Sequence, residues 1–257
     1  RFLERFAAPF YGGITLDRSL STAARVFAYT FKALTESRAA IPADGMAAIP
    51  EQLVERAREA GAEIQLDTPV TAVETASGDA RIATADRTLT AAAAVVATDP
   101  KQAADLVDVA TIPTDAHGCV TQYYALAEPE LDTGRRIMLN AAPPGGDTTT
   151  GTNTDSEASP TPAPNTVAQL SAVAPEYAPE GQVLLSATFL GPAAQEATDD
   201  ALRTAAVDAL STWYPERRFD EMDLIATERV PFAQFAQPPG IHDRLPGPRA
   251  PAGAVYL

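Results

Sequence analysis

The sequence predicts a mixed α/β fold in which two portions of the chain interleave. Three patterns carry that expectation. Ala48 to Ala60 and Asp199 to Tyr214 place apolar residues at helical spacing. Ala91 to Thr98 ends in the apolar run Ala94-Val95-Val96-Ala97, as expected of a strand buried on both faces of a parallel sheet. Between residues 119 and 190, apolar runs of strand length recur between turn-rich segments, which reads as antiparallel sheet.

Residues 1–41 read as helical or irregular. Phe2, Phe6, Phe10 and Tyr11 come close together, and Gly12-Gly13 is expected to break the pattern. A helix is expected to start within Asp17–Ser21, with Ser19 or Ser21 as its N-cap. Ala24, Phe27, Phe31 and Leu34 then fall at helical spacing, and this stripe reads as core packing. Pro42-Ala43-Asp44-Gly45-Met46 and Pro50 fix a loop that feeds the helix 48–60. That helix carries an apolar face (Ile49, Leu53, Val54, Ala57), and Gly61 is its expected stop.

A strand is expected at Glu63-Ile64-Gln65-Leu66, followed by Asp67-Thr68-Pro69-Val70. Further strands are expected at Arg81–Thr84, after a turn at Ser77-Gly78-Asp79, and at Thr88–Thr90. Asp99-Pro100 ends the run 91–98, and a helix resumes over Lys101–Val107. The antiparallel strands are expected at 120–126, 137–141, 166–173 and 182–190. Residues 142–164, rich in Thr, Pro, Gly and Ser, cannot bury enough apolar surface to offset ordering entropy and are expected to form a solvated loop. Pro215 stops the helix 199–214, a strand covers Leu224–Val230, and Gly253–Leu257 opens a buried strand.

Composition narrows the function. Asp and Glu total 34 against 19 Lys and Arg, for a net charge of −15 over 257 residues. Lysine occurs only as Lys32 and Lys101. A nucleic-acid surface needs the opposite sign, and an anionic membrane repels this chain on average. Dense carboxylates with scarce lysine suit a protein adapted to high salt, where self-repulsion is screened. No stretch of 18 apolar residues occurs, so no transmembrane segment is expected, and a cytoplasmic setting is. Cys119 cannot form an internal disulfide and reads as a buried structural cysteine. His117 would share its face in a strand, but the pair reads as structural. No G-x-S-x-G elbow, phosphate loop or H-E-x-x-H is present, and no metal-ligand spacing occurs.

The order of the motifs says more than any one of them. Arg5 to Ile14, the Gly-Met loop Pro42–Pro50, Pro69-Val70, Ala94-Val95-Val96-Ala97-Thr98, Trp213-Tyr214-Pro215 and Ala254-Val255-Tyr256-Leu257 follow one another as in the flavin-dependent amine oxidase superfamily, which the chain resembles. Protoporphyrinogen oxidases and phytoene desaturases belong to that superfamily. The resemblance implies part of a two-dinucleotide-binding-domain flavoprotein, with an interleaved substrate domain built on an antiparallel sheet and helices. The FAD-binding portion would be 43–115 and 241–257, and the substrate portion 1–42 and 116–240.

It further implies FAD as cofactor and hydride removal from an amine or a C–C bond of an apolar substrate. Val70 would contact adenine through its main chain, with Ala97 and Thr98 at the strand end beside the dinucleotide. Phe10, Tyr11 and Met46 would line the substrate cavity. The G-x-G-x-x-G turn that cradles the pyrophosphate is expected upstream of Arg1, and a Gly-Asp beyond Leu257. The chain would then be the interior of a longer flavoenzyme, inactive by itself. The rival reading is a non-enzymatic protein that holds a prenyl or other apolar ligand on the same scaffold.

Overall fold

A computed structural model describes residues 1–76, 78–127, 131, 134–142, 162–249, 251 and 253–257. Most of the expected solvated loop 142–164 lies outside the described residues. The helices are α1 (Ala8–Thr15), α2 (Ala24–Glu36), α3 (Ala48–Glu59), α4 (Pro100–Leu106), α5 (Pro192–Glu196) and α6 (Asp199–Trp213). The strands are β1 (Val70–Ala76), β2 (Asp79–Thr84), β3 (Thr88–Ala91), β4 (Ala94–Val95), β5 (Ala116–Ala127), β6 (Ile137–Leu139), β7 (Thr166–Gln169), β8 (Gln182–Leu190), β9 (Asp223–Phe235) and β10 (Val255–Tyr256). They fall into two compact units. One comprises 1–22, 27–49 and 117–234, and the other 23–26, 50–116 and 235–257.

The first unit is organised by a five-stranded sheet of order β6-β7-β8-β5-β9. The pair β5/β8 is antiparallel and runs in register from Cys119 opposite Leu190 to Ala127 opposite Gln182. The period of two puts Val120, Tyr124 and Leu126 of β5 on one face with Val183, Leu185, Ala187 and Phe189 of β8, all buried. Against this face lie Leu202, Ala206 and Leu210, one stripe of α6. Each fully buried Leu or Phe contributes about 1.5–3 kcal/mol of apolar transfer. Thr198 caps α6 through its Oγ1, which accepts from the Ala201 amide at 3.2 Å.

A polar group crosses this core fully satisfied. Gln122 Nε2 donates to the Asp199 carbonyl (3.0 Å) and to Thr227 Oγ1 (3.1 Å), and Tyr124 donates its hydroxyl to Gln122 Oε1. Arg229 donates to the carbonyls of Ala194, Gln195 and Ala197 at the end of α5 and to the Asp199 carboxylate.

The second unit holds an antiparallel meander β1-β2-β3 and a parallel pair β4/β10. Gly78, at φ +93°, lies in the turn that returns Ala76 opposite Asp79. Ala94 and Val96 donate to the carbonyls of Ala254 and Tyr256 at 2.9 and 2.8 Å, which fixes the parallel register. Val73, Ala80, Val96, Ala103, Val107 and Val255 are among its buried core. Asp99 Oδ1 accepts from the Gln102 amide (3.1 Å) and Pro100 takes the first helical position, so α4 starts where β4 ends. At the end of α3, Gly61 (φ +88°) donates to Arg58 and Ala62 to Ala57, a Schellman closure.

Several expectations need correction. Residues 63–66 are not a strand: no described strand ladders with them, and Asp67 at φ 54° turns the chain just after. The strand instead begins at Val70. In the run 91–98, Ala91 ends β3 and only Ala94–Val95 forms the next strand, and Val95 is 70% exposed, because its one ladder partner is the two-residue β10. Gly12-Gly13 does not break a helix; α1 runs through both. A Cβ on Gly12 would meet Arg18 Cα at 2.8 Å, and one on Gly13 would meet Asn165 Nδ2 at 2.8 Å, so the glycines serve close contact rather than a turn.

Neither Ser19 nor Ser21 caps α2, since both donate to Asp17. The stripe on α2 is not core either. Phe27 and Phe31 are half exposed, and their rings stack on one another rather than under a covering layer. The apolar face of α3 is likewise open, with Leu53 63% exposed. The second half of 166–173 is a 3-10 turn, Leu170–Ala172. The last long strand runs further than expected, Asp223–Phe235. Cys119 is half-buried rather than buried, and that burial pushes its thiol pKa up.

Candidate functional site

In the first unit, the helices ahead of the Gly-Met loop carry a continuous row of rings. Phe2 and Phe6 are 5.4 Å apart between centroids, and Phe6 and Phe10 stack at 5.2 Å. Phe10 meets Tyr11 edge-on at 5.2 Å, Tyr11 meets Phe27 at 4.6 Å, and Phe27 meets Phe31 at 6.1 Å. The i, i+4 steps on the helices set the stacked pairs, and each well-placed pair adds about 0.5–1.5 kcal/mol beyond burial. Phe10 and Tyr11 are therefore brought together, half-buried, in the middle of an apolar row. Met46 stands elsewhere, 60% exposed on the turn before α3. There Gly45 takes φ +87°, and Tyr177 donates its hydroxyl to the Pro42 carbonyl at 2.6 Å. Sequence reasoning missed that Phe27 and Phe31 join Phe10 and Tyr11. The signal was the shared four-residue ring spacing, which was read as core.

The loop that joins the two ring-bearing helices is held by one carboxylate. Asp17 Oδ1 accepts from the Ser19 amide (2.9 Å) and hydroxyl (2.6 Å); Oδ2 accepts from the Ser21 amide (3.2 Å) and hydroxyl (2.6 Å). Partial burial pushes the Asp17 carboxyl up, but these hydrogen bonds outweigh it and hold the group below its ordinary range. Arg18 donates to the carbonyls of Asn140 (3.1 Å) and Ala142 (2.8 Å), tying the loop to the end of β6.

In the second unit, Ala97 and Thr98 lie exposed just past the carboxyl end of β4, before the cap of α4. Ligands of open α/β sheets sit at such ends. Val70 is the first residue of β1, opposite Thr84, beside a register irregularity between Val70 and Ala72. It is 37% exposed. Val70 opens a strand of the β1-β2-β3 sheet, whereas Ala97 and Thr98 follow β4 of the separate β4/β10 pair. A cleft of about 600 Å³, lined in part by Glu74, Asp105, Asp108 and Val255, lies beside β1 and α4 and takes in none of these three residues. Among the described residues no group of His, Cys, Asp or Glu could hold a metal ion, and no helix is long and apolar enough to cross a membrane.

Residues 1–257 match the profile of the flavin containing amine oxidoreductases. The chain belongs to that family. Several solved structures share its fold. A protein from Exiguobacterium sp. 255-15 assigned as a protoporphyrinogen oxidase aligns at 17% identity with a TM-score of 0.58, over 84% of this chain and 46% of its own. An oxidoreductase from Methanosarcina mazei aligns at 16% and 0.57, over 83% and 48%. Putrescine oxidase bound to putrescine aligns at 14% and 0.53, over 83% and 46%. The chain thus spans less than half the length of these structures. No curated protein matches the sequence. The superfamily expected from motif order and the mixed α/β fold expected from the patterning both hold.

Proposed function

We propose that the chain forms part of an FAD-dependent oxidoreductase that removes hydride from an amine or a C–C bond of an apolar substrate. The observation that carries this reading is the family match over the whole chain. The local geometry suits it. Ala97 and Thr98 are small and exposed at a strand end, so a dinucleotide can approach their backbone closely. Val70 is the first residue of β1, 37% exposed and beside an irregularity of the β1/β2 ladder, a position that suits main-chain contact with an adenine edge. When bound, the flavin supplies the hydride acceptor.

The chain's own residues bind and orient. Phe10 and Tyr11 present ring faces and edges to an apolar substrate, and Met46 adds an adaptable thioether at a second point. Such a wall also keeps water from the reacting bond. The unit of 23–26, 50–116 and 235–257 takes the cofactor role, and the unit with the five-stranded sheet takes the substrate role. The excess of carboxylates adapts the surface to high salt.

The test is flavin bleaching. The flavin-loaded protein is mixed anaerobically with apolar amines and with conjugated hydrocarbons, and the visible spectrum is followed. Bleaching by either class supports the reading and names the class. Stable flavin binding without bleaching by any of them, together with retention of a prenyl ligand, would move the assignment to a binding protein.

A further inference from the structure

We propose that Asp17 is a positioning residue: its carboxylate sets the hinge at which the two ring-bearing helices meet, and through it the contact between Tyr11 and Phe27. The hinge is unusual in three ways. It holds two leucines in the left-handed region, Leu16 at φ 56° and Leu20 at φ 58°. A branched L-residue adopts that conformation only when its surroundings compel it. Both leucines flank the same carboxylate, which receives four hydrogen bonds from Ser19 and Ser21.

The hinge is also braced from both ends. The Asp17 amide donates to the Gly12 carbonyl at 3.0 Å and the Leu20 amide to the Asp17 carbonyl at 3.3 Å. Gly12 lies so near Arg18 that a side chain there would strike its Cα. Arg18 in turn is fixed on the carbonyls of Asn140 and Ala142. The chain therefore leaves α1 in one direction. Without the carboxylate the left-handed leucines lose what holds them, and they relax toward ordinary backbone. Tyr11 is five residues before the first of them and Phe27 seven after the second, so a change of φ at either leucine swings one ring from the other. The 4.6 Å ring separation is the product of this turn.

The consequence for ligands rests on the reading that this face receives an apolar substrate, so the experiment has two arms. In the first, nuclear Overhauser contacts between the Tyr11 and Phe27 rings are measured in protein with labelled Tyr and Phe. Asp17→Ala is expected to lose them while far-ultraviolet circular dichroism stays unchanged. Ser21→Ala is expected to weaken them, and Asp17→Asn, which keeps one acceptor oxygen, to fall between wild type and Asp17→Ala. Ring contacts unchanged in a folded Asp17→Ala protein would overturn the proposal. If that variant does not fold, unchanged contacts in Ser21→Ala would do so.

In the second arm, diphenylhexatriene serves as an apolar probe. Asp17→Ala is expected to bind it about fivefold more weakly, with Asp17→Asn partly restored. Equal probe affinity in wild type and a folded Asp17→Ala would overturn the proposal's consequence for ligands. A wild-type protein that ignores the probe would remove the substrate reading, and the first arm would still decide the role of Asp17.

Discussion

Gly118 and Pro231 approach so closely that a Cβ on Gly118 would lie 2.7 Å from the Pro231 carbonyl oxygen. The Val230 carbonyl at 2.8 Å and Gln195 Nε2 at 2.9 Å close the other sides. Gln195 meanwhile donates to the carbonyls of Cys119 (2.9 Å) and Val230 (3.2 Å), bridging β5 to β9. Two of the three obstacles are backbone atoms and cannot rotate away. Gly118→Ala is therefore expected to destabilise the fold by about 1–3 kcal/mol through overpacking. Urea unfolding would show it as a lower midpoint at unchanged slope. An unchanged midpoint would mean that β9, an edge strand that already carries a proline, gives way without cost.

Tyr124 and Gln122 make a second, titratable test. Tyr124→Phe leaves Gln122 Oε1 without its donor in a buried site, for about 1–3 kcal/mol. Burial, aided by the Asp199 charge and opposed by Arg203, pushes the Tyr124 phenol above its ordinary 10.0. The sign follows from linkage. The unfolded phenol releases its proton first, so the contribution of Tyr124 is complete below pH 10.0 and is lost as pH rises toward the raised folded value. Wild type should thus lose stability above pH 10.0 more steeply than Tyr124→Phe. Parallel losses in the two proteins would refute the assignment of that slope to Tyr124.

Charge makes the third prediction. With 34 acidic residues against 19 basic ones, the chain carries a net charge of −15, so acidic groups repel on balance. The pairs Arg25–Asp243, Lys32–Glu36 and Arg218–Asp220 are well exposed and contribute little. Raising KCl to molar levels shortens the Debye length to about 3 Å and relieves the repulsion. The thermal midpoint is expected to climb with KCl. A flat or falling midpoint would reject salt adaptation.

What the sequence revealed follows a physical division. α3 and α6 were legible because their signals are local: a 3.6-residue period, a stop at Gly61 with its left-handed closure, and Pro215 after Trp213. The long strands β5 and β8 were legible because one face is buried, and the alternation records it. Strand β1 was missed because Thr71 and Thr75 flank Val73 on its buried face and Glu74 breaks the other, while Glu63–Leu66 alternated well yet has no described ladder to join. Pairing is a property of the partner, which local sequence does not contain. The double glycine misled for the same reason: its purpose is the approach of Arg18 and Asn165, both distant from it in pattern. At the candidate site, ring positions were legible by spacing. The carboxylate that orients them was hidden in what looked like a helix cap.

The last prediction concerns Val70 and the cofactor. If the Val70 main chain receives the adenine edge, the side chain is incidental and the amide matters. Val70→Pro removes that N–H and should weaken flavin binding. Val70→Ile keeps the backbone and a β-branched side chain, so it should bind as wild type does. Val70 is the first residue of β1 rather than an interior one, a place where a strand accepts proline. A folding defect in Val70→Pro should thus be smaller than the loss of affinity. Titration with added FAD, read beside circular dichroism, separates the two. The 257-residue chain contains no G-x-G-x-x-G turn to receive the pyrophosphate charge, and its own charge is −15. It is expected to purify colourless, with added FAD binding weakly. A stoichiometrically yellow preparation would place the main binding determinants within these residues. Equal affinity of Val70→Pro and wild type for added FAD would remove Val70 from them.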